Sequence, residues 1–326
     1  MNPSESRPPI PDPRSASPKA VVFAYHNVGV RCLSVLLAHG VDVALVLTHE
    51  DSPTETIWFD SVAALAVRHG IPVITPADAN APEVLARIKA LQPDFIFSFY
   101  YRQMLKPELL ALASRGAYNM HGSLLPRYRG RVPVNWAIIR GETETGSTLH
   151  EMVAKPDAGA ILARQAVPIL PNDTAFEVFQ KVTVAAEMAL NDVLPALLAG
   201  TAPALPNDLA SGSYFSGRKP EDGRIDWTMD AVNIHNLIRA VAPPYPGAFT
   251  TLDGRPLKVL GSLPEPRRQP RSAEPGLYAE GGSCFADCGQ GERIAVLRLT
   301  ALEFDGAPLD AARFVALFGE RKLPFN

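Results

Sequence analysis

Short apolar runs alternate with helical stretches along the first half of the chain, and few folds accept that alternation. Ala20 to Tyr25 (AVVFAY) is an apolar run rich in valine and aromatics, the pattern of a buried strand. Val30 to His39 follows as a helix and stops at Gly40. Asp42 to Thr48, Pro72 to Thr75, Phe95 to Tyr100 and Ala117 to Met120 read as further strands. Trp58 to His69, Ala81 to Leu91 and Pro107 to Ser114 read as the helices between them. A strand–helix unit of about 30 residues, repeated, builds a doubly wound, mostly parallel α/β sheet with helices on both faces. Ligands of such sheets sit beyond the carboxyl ends of the strands. The residues after Tyr25, Thr48, Tyr100 and Met120 are therefore the ones to read for chemistry.

The pattern then changes. Thr148 to Val153 and Ala160 to Ile169 read as strands, and Thr174 to Ala199 as a long helix closed by Gly200. Thr201 to Asn207 is proline-rich and reads as a linker. Beyond a helix over Ala231 to Val241 lie short runs at Leu257 to Leu260, Gly276 to Tyr278, Ser283 to Ala286 and Arg293 to Leu299, separated by Gly, Pro and Asp. Such spacing predicts a small, OB-like β-barrel, with a last helix at Ala311 to Leu317. The expected organisation is a tail over 1–17, a catalytic domain over 18–206 and a C-terminal barrel with its linker over 207–326. The tail holds five prolines and four serines and lacks the apolar core of a signal peptide, so disorder is expected there.

Composition narrows the function classes. The net charge of -3 offers no basic surplus for a nucleic-acid partner. No apolar run reaches the length expected of a membrane span. Cys32, Cys284 and Cys288 form no disulfide framework, which suits a reducing cytoplasm, and the latter two lack the Cys/His pair a zinc site needs. The turn after the first strand, Tyr25-His26-Asn27-Val28-Gly29, has one glycine where a dinucleotide cradle needs three, which argues against NAD. His26 there reads first as a polar cap.

The fifth strand ends in Asn119-Met120-His121-Gly122-Ser123-Leu124-Leu125-Pro126. Asn119 and His121 are two apart in an extended segment, so their side chains share a face. An amide can hold a developing oxyanion, and an imidazole can move a proton near neutral pH. Two polar residues at a strand end could equally serve the backbone alone. Asp157, in Lys155-Pro156-Asp157-Ala158-Gly159-Ala160, could orient the imidazole or simply bond its own turn.

Asn119 to Trp136, NMHGSLLPRYRGRVPVNW, resembles the signature of the 10-formyltetrahydrofolate-dependent formyltransferases, a family that includes methionyl-tRNA formyltransferase and sugar-nucleotide N-formyltransferases. The resemblance extends from about Lys19 to Phe318, through Ile225-Asp226-Trp227, Arg239-Ala240-Val241 and Pro246-Gly247-Ala248. It implies Asn119, His121 and Asp157 as catalytic residues. It also implies a folate pocket formed by Gln103, Met104 and Leu105, by Arg131, and by Val153, Ala154, Lys155, Pro156 and Asp157. Within the family, Phe97 to Arg102, Arg129-Gly130-Arg131, Val134-Asn135-Trp136 and Gly141 to Gly146 are most similar to the formyltransferase half of the bifunctional polymyxin-resistance enzyme. That likeness implies UDP-4-amino-4-deoxy-L-arabinose as acceptor and a role in lipid A modification, lipopolysaccharide biosynthesis and antibiotic resistance. It implies a separate decarboxylase for the preceding step, 10-formyltetrahydrofolate as cosubstrate and no metal. A homo-oligomer stays open. Arg218, in Ser216-Gly217-Arg218-Lys219, is a candidate for the nucleotide phosphates, with a solvated loop charge as the alternative. Two competing readings are methionyl-tRNA formyltransferase, against which Arg131 and the net charge argue, and a formyltetrahydrofolate hydrolase or non-catalytic folate-binding relative.

Overall fold

The computed structural model describes residues 17–53 and 56–325. The expected disordered tail lies outside them, apart from Ser17. The first half runs β1 (Lys19–Ala24), α1 (His26–Ala38), β2 (Asp42–Leu47), α2 (Val62–Arg68), β3 (Val73–Ile74), α3 (Pro82–Leu91), β4 (Phe95–Phe99), α4 (Pro107–Leu110) and β5 (Gly116–His121). It continues through β6 (Arg129–Gly130), α5 (Pro133–Ile139), β7 (Glu144–Glu151), β8 (Ile161–Pro168) and α6 (Ala175–Ala199). The sheet order is β3-β2-β1-β4-β5-β7-β8. Pairing is parallel through β5, and antiparallel from β5 to β7 and from β7 to β8. The mostly parallel expectation holds, with an antiparallel edge that local sequence does not announce.

Two apolar layers cover the sheet. One contains Val22, Phe97, Phe99, Met120 and Leu149 with α1, α5 and α6. The other contains Val21, Phe23, Ile96, Leu105 and Ala117 with α3 and α4. On β5, Ala117 joins the second layer while Tyr118 and Met120 join the first, so Asn119 and His121 point to the α3/α4 side as alternation requires.

Three expectations are corrected. Helix α2 begins at Val62 and not at Trp58, because the Ser61 hydroxyl caps it by accepting from Ala64 N at 3.2 Å. Trp58 and Phe59 instead pack against His26, with ring centroids 4.5 and 3.9 Å away. Burial among these rings pushes His26 down to about 3. The segment expected to be a linker is paired: Leu205 and Ile161 exchange two backbone hydrogen bonds of 2.9 Å. Finally, α6 is long and apolar enough, by length and composition, to cross a membrane. Half of its apolar window is buried, and it lies against α1, β7 and β8 as a core helix of this sheet.

The second half runs β9 (Tyr214–Phe215), α7 (Ala231–Ala240), β10 (Ala248–Leu252), β11 (Arg255–Pro264), β12 (Gly276–Glu280), β13 (Ser283–Cys288), β14 (Ala295–Phe304), β15 (Ala307–Pro308), α8 (Ala311–Phe318) and β16 (Leu323–Pro324). Its main sheet is antiparallel, in the order β10-β11-β14-β13-β12-β16. The sheet curls until its outer strands meet at one bridge, Leu252 with Phe325, so it is barrel-like without a full closing ladder. Trp227 stacks on Phe325 at 3.8 Å beside that seam. Cys284 and Cys288 are buried in its core. Helix α7 ties the halves together: buried Arg239 donates to the Asp173 carbonyl at 2.8 Å, and the Ala240 carbonyl accepts from Asn135 Nδ2 at 2.7 Å.

Candidate active site

Register carries polar residues across the middle of the first sheet. Phe23 on β1 pairs with Ser98 on β4, Ser98 with Asn119 on β5, and Asn119 with His150 on β7. Ser98, His121 and His150 are all buried. A buried polar row at the carboxyl end of a parallel strand is costly unless it is hydrogen-bonded or put to use.

The hydrogen bonds define the ring states. His121 Nε2 lies 2.9 Å from the Tyr128 carbonyl. A carbonyl only accepts, so Nε2 carries the hydrogen and Nδ1 presents its lone pair when the ring is neutral. His150 shows the opposite arrangement. Its Nδ1 donates to the Glu151 carbonyl at 2.8 Å, and its Nε2 accepts from the Asn119 amide nitrogen at 3.1 Å.

Asp157 stands between the two rings. Its Oδ1 is 3.6 Å from His121 Nδ1 and 3.6 Å from His150 Nε2. Its Oδ2 accepts from Gly130 N at 2.8 Å. The carboxylate comes from the turn between β7 and β8, where Asp157 itself has φ 51°. Gly159 lets that turn pass close to the strand: a Cβ there would lie 2.0 Å from the Glu151 carbonyl oxygen. Asn207 Nδ2 then fastens the turn by donating to the carbonyls of Asp157 and Gly159 at 3.0 and 3.1 Å.

Electrostatics follow from this packing. Burial pushes His121 below the ordinary histidine value; the Asp157 charge and the Tyr128 carbonyl oppose that shift without reversing it. Burial alone would raise the Asp157 carboxyl. A proton on either imidazole and the Gly130 N–H outweigh it, and the group is held well below the usual carboxylate range. The site thus pairs a ring that burial pushes toward its neutral form with a carboxylate held toward its ionised form. It can bind an oxyanion through the second N–H of Asn119, and it can store one proton on His121 Nδ1 against Asp157.

The other expected residues lie on the 103–105 segment, on the 153–157 turn and at Arg131 and Arg218. Gln103 is held by its side chain, which accepts from Ala79 N at 2.8 Å and donates to the Ala77 carbonyl at 3.0 Å. Asn80 braces the same segment, donating to the Met104 carbonyl at 2.9 Å and accepting from Lys106 N at 2.8 Å. Leu105 is buried in the layer that Met152 also joins, which brings 103–105 toward the 153–157 turn. Met104 and Val153 are 58% and 40% exposed. Ala154, Lys155 and Pro156 are exposed along the same turn, and so is Arg131, whose backbone N donates to the Phe215 carbonyl at 3.0 Å. Arg218 lies 5.0 Å over the Trp136 ring and donates to the Asp222 carbonyl at 2.7 Å, so part of its guanidinium is committed to the protein.

Asn119, His121 and Asp157 thus converge. The sequence reading missed His150, Asn207 and the Tyr128 and Gly130 backbone groups. His150 was detectable in principle, because alternation with Leu149 sets it on the face opposite the apolar layer.

A family model described as formyl transferase matches residues 32–194, and one described as formyl transferase, C-terminal domain, matches 218–318. An N-formyltransferase from Helicobacter canadensis, solved with folinic acid and dTDP-3-aminofucose, matches with a TM-score of 0.66 at 20% identity, over 87% of this chain and 99% of its own. WlaRD, a sugar 3N-formyltransferase solved with dTDP and 5-N-formyl-THF, matches with a TM-score of 0.68 at 19% identity, over 87% of this chain and 98% of its own. HypX from Aquifex aeolicus, solved with tetrahydrofolic acid, matches with a TM-score of 0.61 at 18% identity, over 94% of this chain and 48% of its own. At such identities the likeness speaks for the fold.

Proposed function

The chain belongs to the formyl transferase family, and from that premise we propose that it moves a formyl group from 10-formyltetrahydrofolate to the amine of a nucleotide-linked amino sugar. UDP-4-amino-4-deoxy-L-arabinose is the specific acceptor of this reading, which assigns the enzyme to lipid A modification. One observation carries the chemistry: an amide, an imidazole and a carboxylate share one buried site at the carboxyl end of β5. Two proteins of the same fold were solved with a folate and a thymidine nucleotide or nucleotide sugar, which supports the substrate class. The choice of a uridine-linked arabinose rests on the Arg129-Gly130-Arg131 and Val134-Asn135-Trp136 segments.

The residues divide the work. The backbone of Gln103 to Leu105, the 153–157 turn and Arg131 hold the folate. The neutral sugar amine attacks the formyl carbon, and negative charge develops on the formyl oxygen. Asn119 donates its second N–H to that oxygen. The attacking nitrogen must lose a proton, and His121 Nδ1 accepts it. Asp157 stabilises the imidazolium so formed, since burial alone disfavours it. The same proton then passes to the folate nitrogen as the C–N bond breaks. The products are the formamide and tetrahydrofolate, with no net proton gained or lost.

Tetrahydrofolate release should be followed with a panel of UDP- and dTDP-linked amino sugars and charged initiator tRNA. Mass spectrometry should find one added formyl group on UDP-4-amino-4-deoxy-L-arabinose. Formylation of the tRNA alone would overturn the reading, and formate release without any acceptor would turn it into a hydrolase.

A further inference from the structure

We propose that His150 is a positioning residue for this transfer, setting which way round the Asn119 amide sits. The inference rests on the formyl-transfer reading above and adds a residue to it. His150 faces Asn119 directly across the β5–β7 pair and is 2% exposed, so its ring has no solvent to bond with.

Which atoms can donate decides the orientation. Because the Glu151 carbonyl receives the Nδ1 hydrogen at 2.8 Å, Nε2 of the neutral ring has only a lone pair. The atom facing it at 3.1 Å must then be an N–H of Asn119 and not its amide oxygen. An asparagine amide is nearly symmetric in shape, so a half-turn about its last bond costs little in packing. It changes the chemistry completely. In the observed orientation one N–H is spent on His150 and the other is free to meet the formyl oxygen. In the flipped orientation an amide oxygen would confront both the Nε2 lone pair and the developing oxyanion. His150 penalises the flip before substrate arrives, which is how a preorganised donor acquires its advantage. A glutamine at 150 could accept through its side-chain oxygen, whereas leucine could not.

Three variants and one spectroscopic measurement test this. His150→Leu should lower kcat about 10- to 100-fold, less than the roughly 10²- to 10³-fold cost of deleting an oxyanion donor outright. The KM for 10-formyltetrahydrofolate should hold within about twofold, since the folate-holding segments do not include His150. His150→Gln should recover most of the loss. In an Asn119→Ala background, His150→Leu should add less than about twofold, because its action runs through the missing amide. Near-normal turnover of folded His150→Leu, or an undiminished penalty in the Asn119→Ala background, would overturn the proposal. Nitrogen NMR of the histidine rings in the wild-type protein decides independently of activity. An Nδ1–H tautomer at His150, with an Asn119 amide resonance that shifts in His150→Gln, supports the inference; an Nε2–H tautomer, or a doubly protonated ring with Nε2–H toward Asp157 Oδ1 3.6 Å away, sinks it. If the wild type formylates nothing in the panel, the transfer reading fails while the spectroscopic result still judges His150.

Discussion

The two halves of the molecule each hold an aspartate largely out of solvent, and they surround it with different partners. Asp287 on β13 is fully buried, and its Oδ2 accepts from Arg271 N at 3.0 Å, from Ser272 N at 3.2 Å and from Lys322 Nζ at 2.5 Å. Asp157 receives one firm hydrogen bond, from Gly130 N, while its other oxygen faces two imidazole nitrogens at 3.6 Å, outside hydrogen-bonding reach. The first carboxylate gathers three fixed donors on one oxygen, leaves Oδ1 buried without a hydrogen bond, and pins the Arg271–Ser272 loop and β16 to the curled sheet. The second leaves one oxygen without a hydrogen bond beside two imidazoles, where the proposed mechanism places a proton. Each carboxylate leaves one oxygen unmatched, so the difference lies in what surrounds it: a lysine and two backbone donors hold Asp287, while one backbone donor and two titratable rings face Asp157.

The largest effect should fall on the first half and on rate alone. His121→Ala should lower turnover roughly 10²- to 10⁴-fold, equal to ~3–5 kcal/mol of transition-state stabilisation. Asn119→Ala should lose a comparable factor, and the double variant should be little worse than either single one. Melting temperature and turnover should be measured on the same preparation. A folded His121→Ala enzyme with near-normal turnover would make this polar row merely structural and erase the contrast with Asp287.

The mirror experiment belongs to the second half. Lys322→Met strips the charge partner from a fully buried carboxylate and should cost about 3 kcal/mol of stability, the lower end for a broken buried pair because Lys322 keeps some solvent contact. Turnover per folded molecule should not change. Denaturant unfolding paired with active-site titration checks both parts, and a loss of turnover without a loss of stability would tie the curled sheet to the chemistry.

A smaller effect should appear at Asn207, where the two halves of the chain join. Asn207→Ala removes two hydrogen bonds that fasten the Asp157 turn and should destabilise the protein by about 1–2 kcal/mol. Turnover should fall more than stability alone explains, because Asp157 loses its fixed position. An unchanged rate would mean that Gly130 N suffices to hold the carboxylate.

What the sequence shows of this arrangement depends on distance along the chain. Asn119 and His121 are legible because they lie two apart on one strand, and alternation alone puts them on one face. Asp157 is not tied to them by any local pattern; its place emerged only from likeness to a family. Alternation gives the face of His150 but not its partner, because that depends on β7 running antiparallel beside β5, and a short strand does not announce its neighbour or register. Asn207 was hidden differently. Proline-rich composition suggests a free linker, yet Leu205 pairs with Ile161 and carries Asn207 to the turn. The curled sheet was legible as a set of short strands with turn residues between them, but its closure at a single bridge depends on contacts between chain segments far apart.

The finest prediction concerns pH, where the two aspartates should differ most sharply for the smallest change in rate. Transfer needs a neutral His121 to accept the amine proton, so kcat should fall on the acid side as that ring protonates. Measured at saturating acceptor, kcat reports groups in the bound complex, while the titration of free sugar amine is confined to kcat/KM. Burial holds His121 below 6.5, so the acid limb of kcat should lie below that value. Asp157 opposes the shift, and Asp157→Asn should therefore move the limb to still lower pH while reducing the plateau. Asp287→Asn should leave the limb where it is, since that carboxylate faces Lys322 and not the imidazoles. Stability should follow the same sign. A histidine whose folded value is depressed contributes nothing adverse above 6.5 and destabilises the fold progressively as pH falls below it. Asp157, held low in the folded state, adds its own loss only below 3.8. A kcat that shows no acid limb and instead falls on the alkaline side as His121 deprotonates would show that His121 works as an imidazolium from the start. The proton would then travel from His121 to the folate nitrogen before the amine gives up its own.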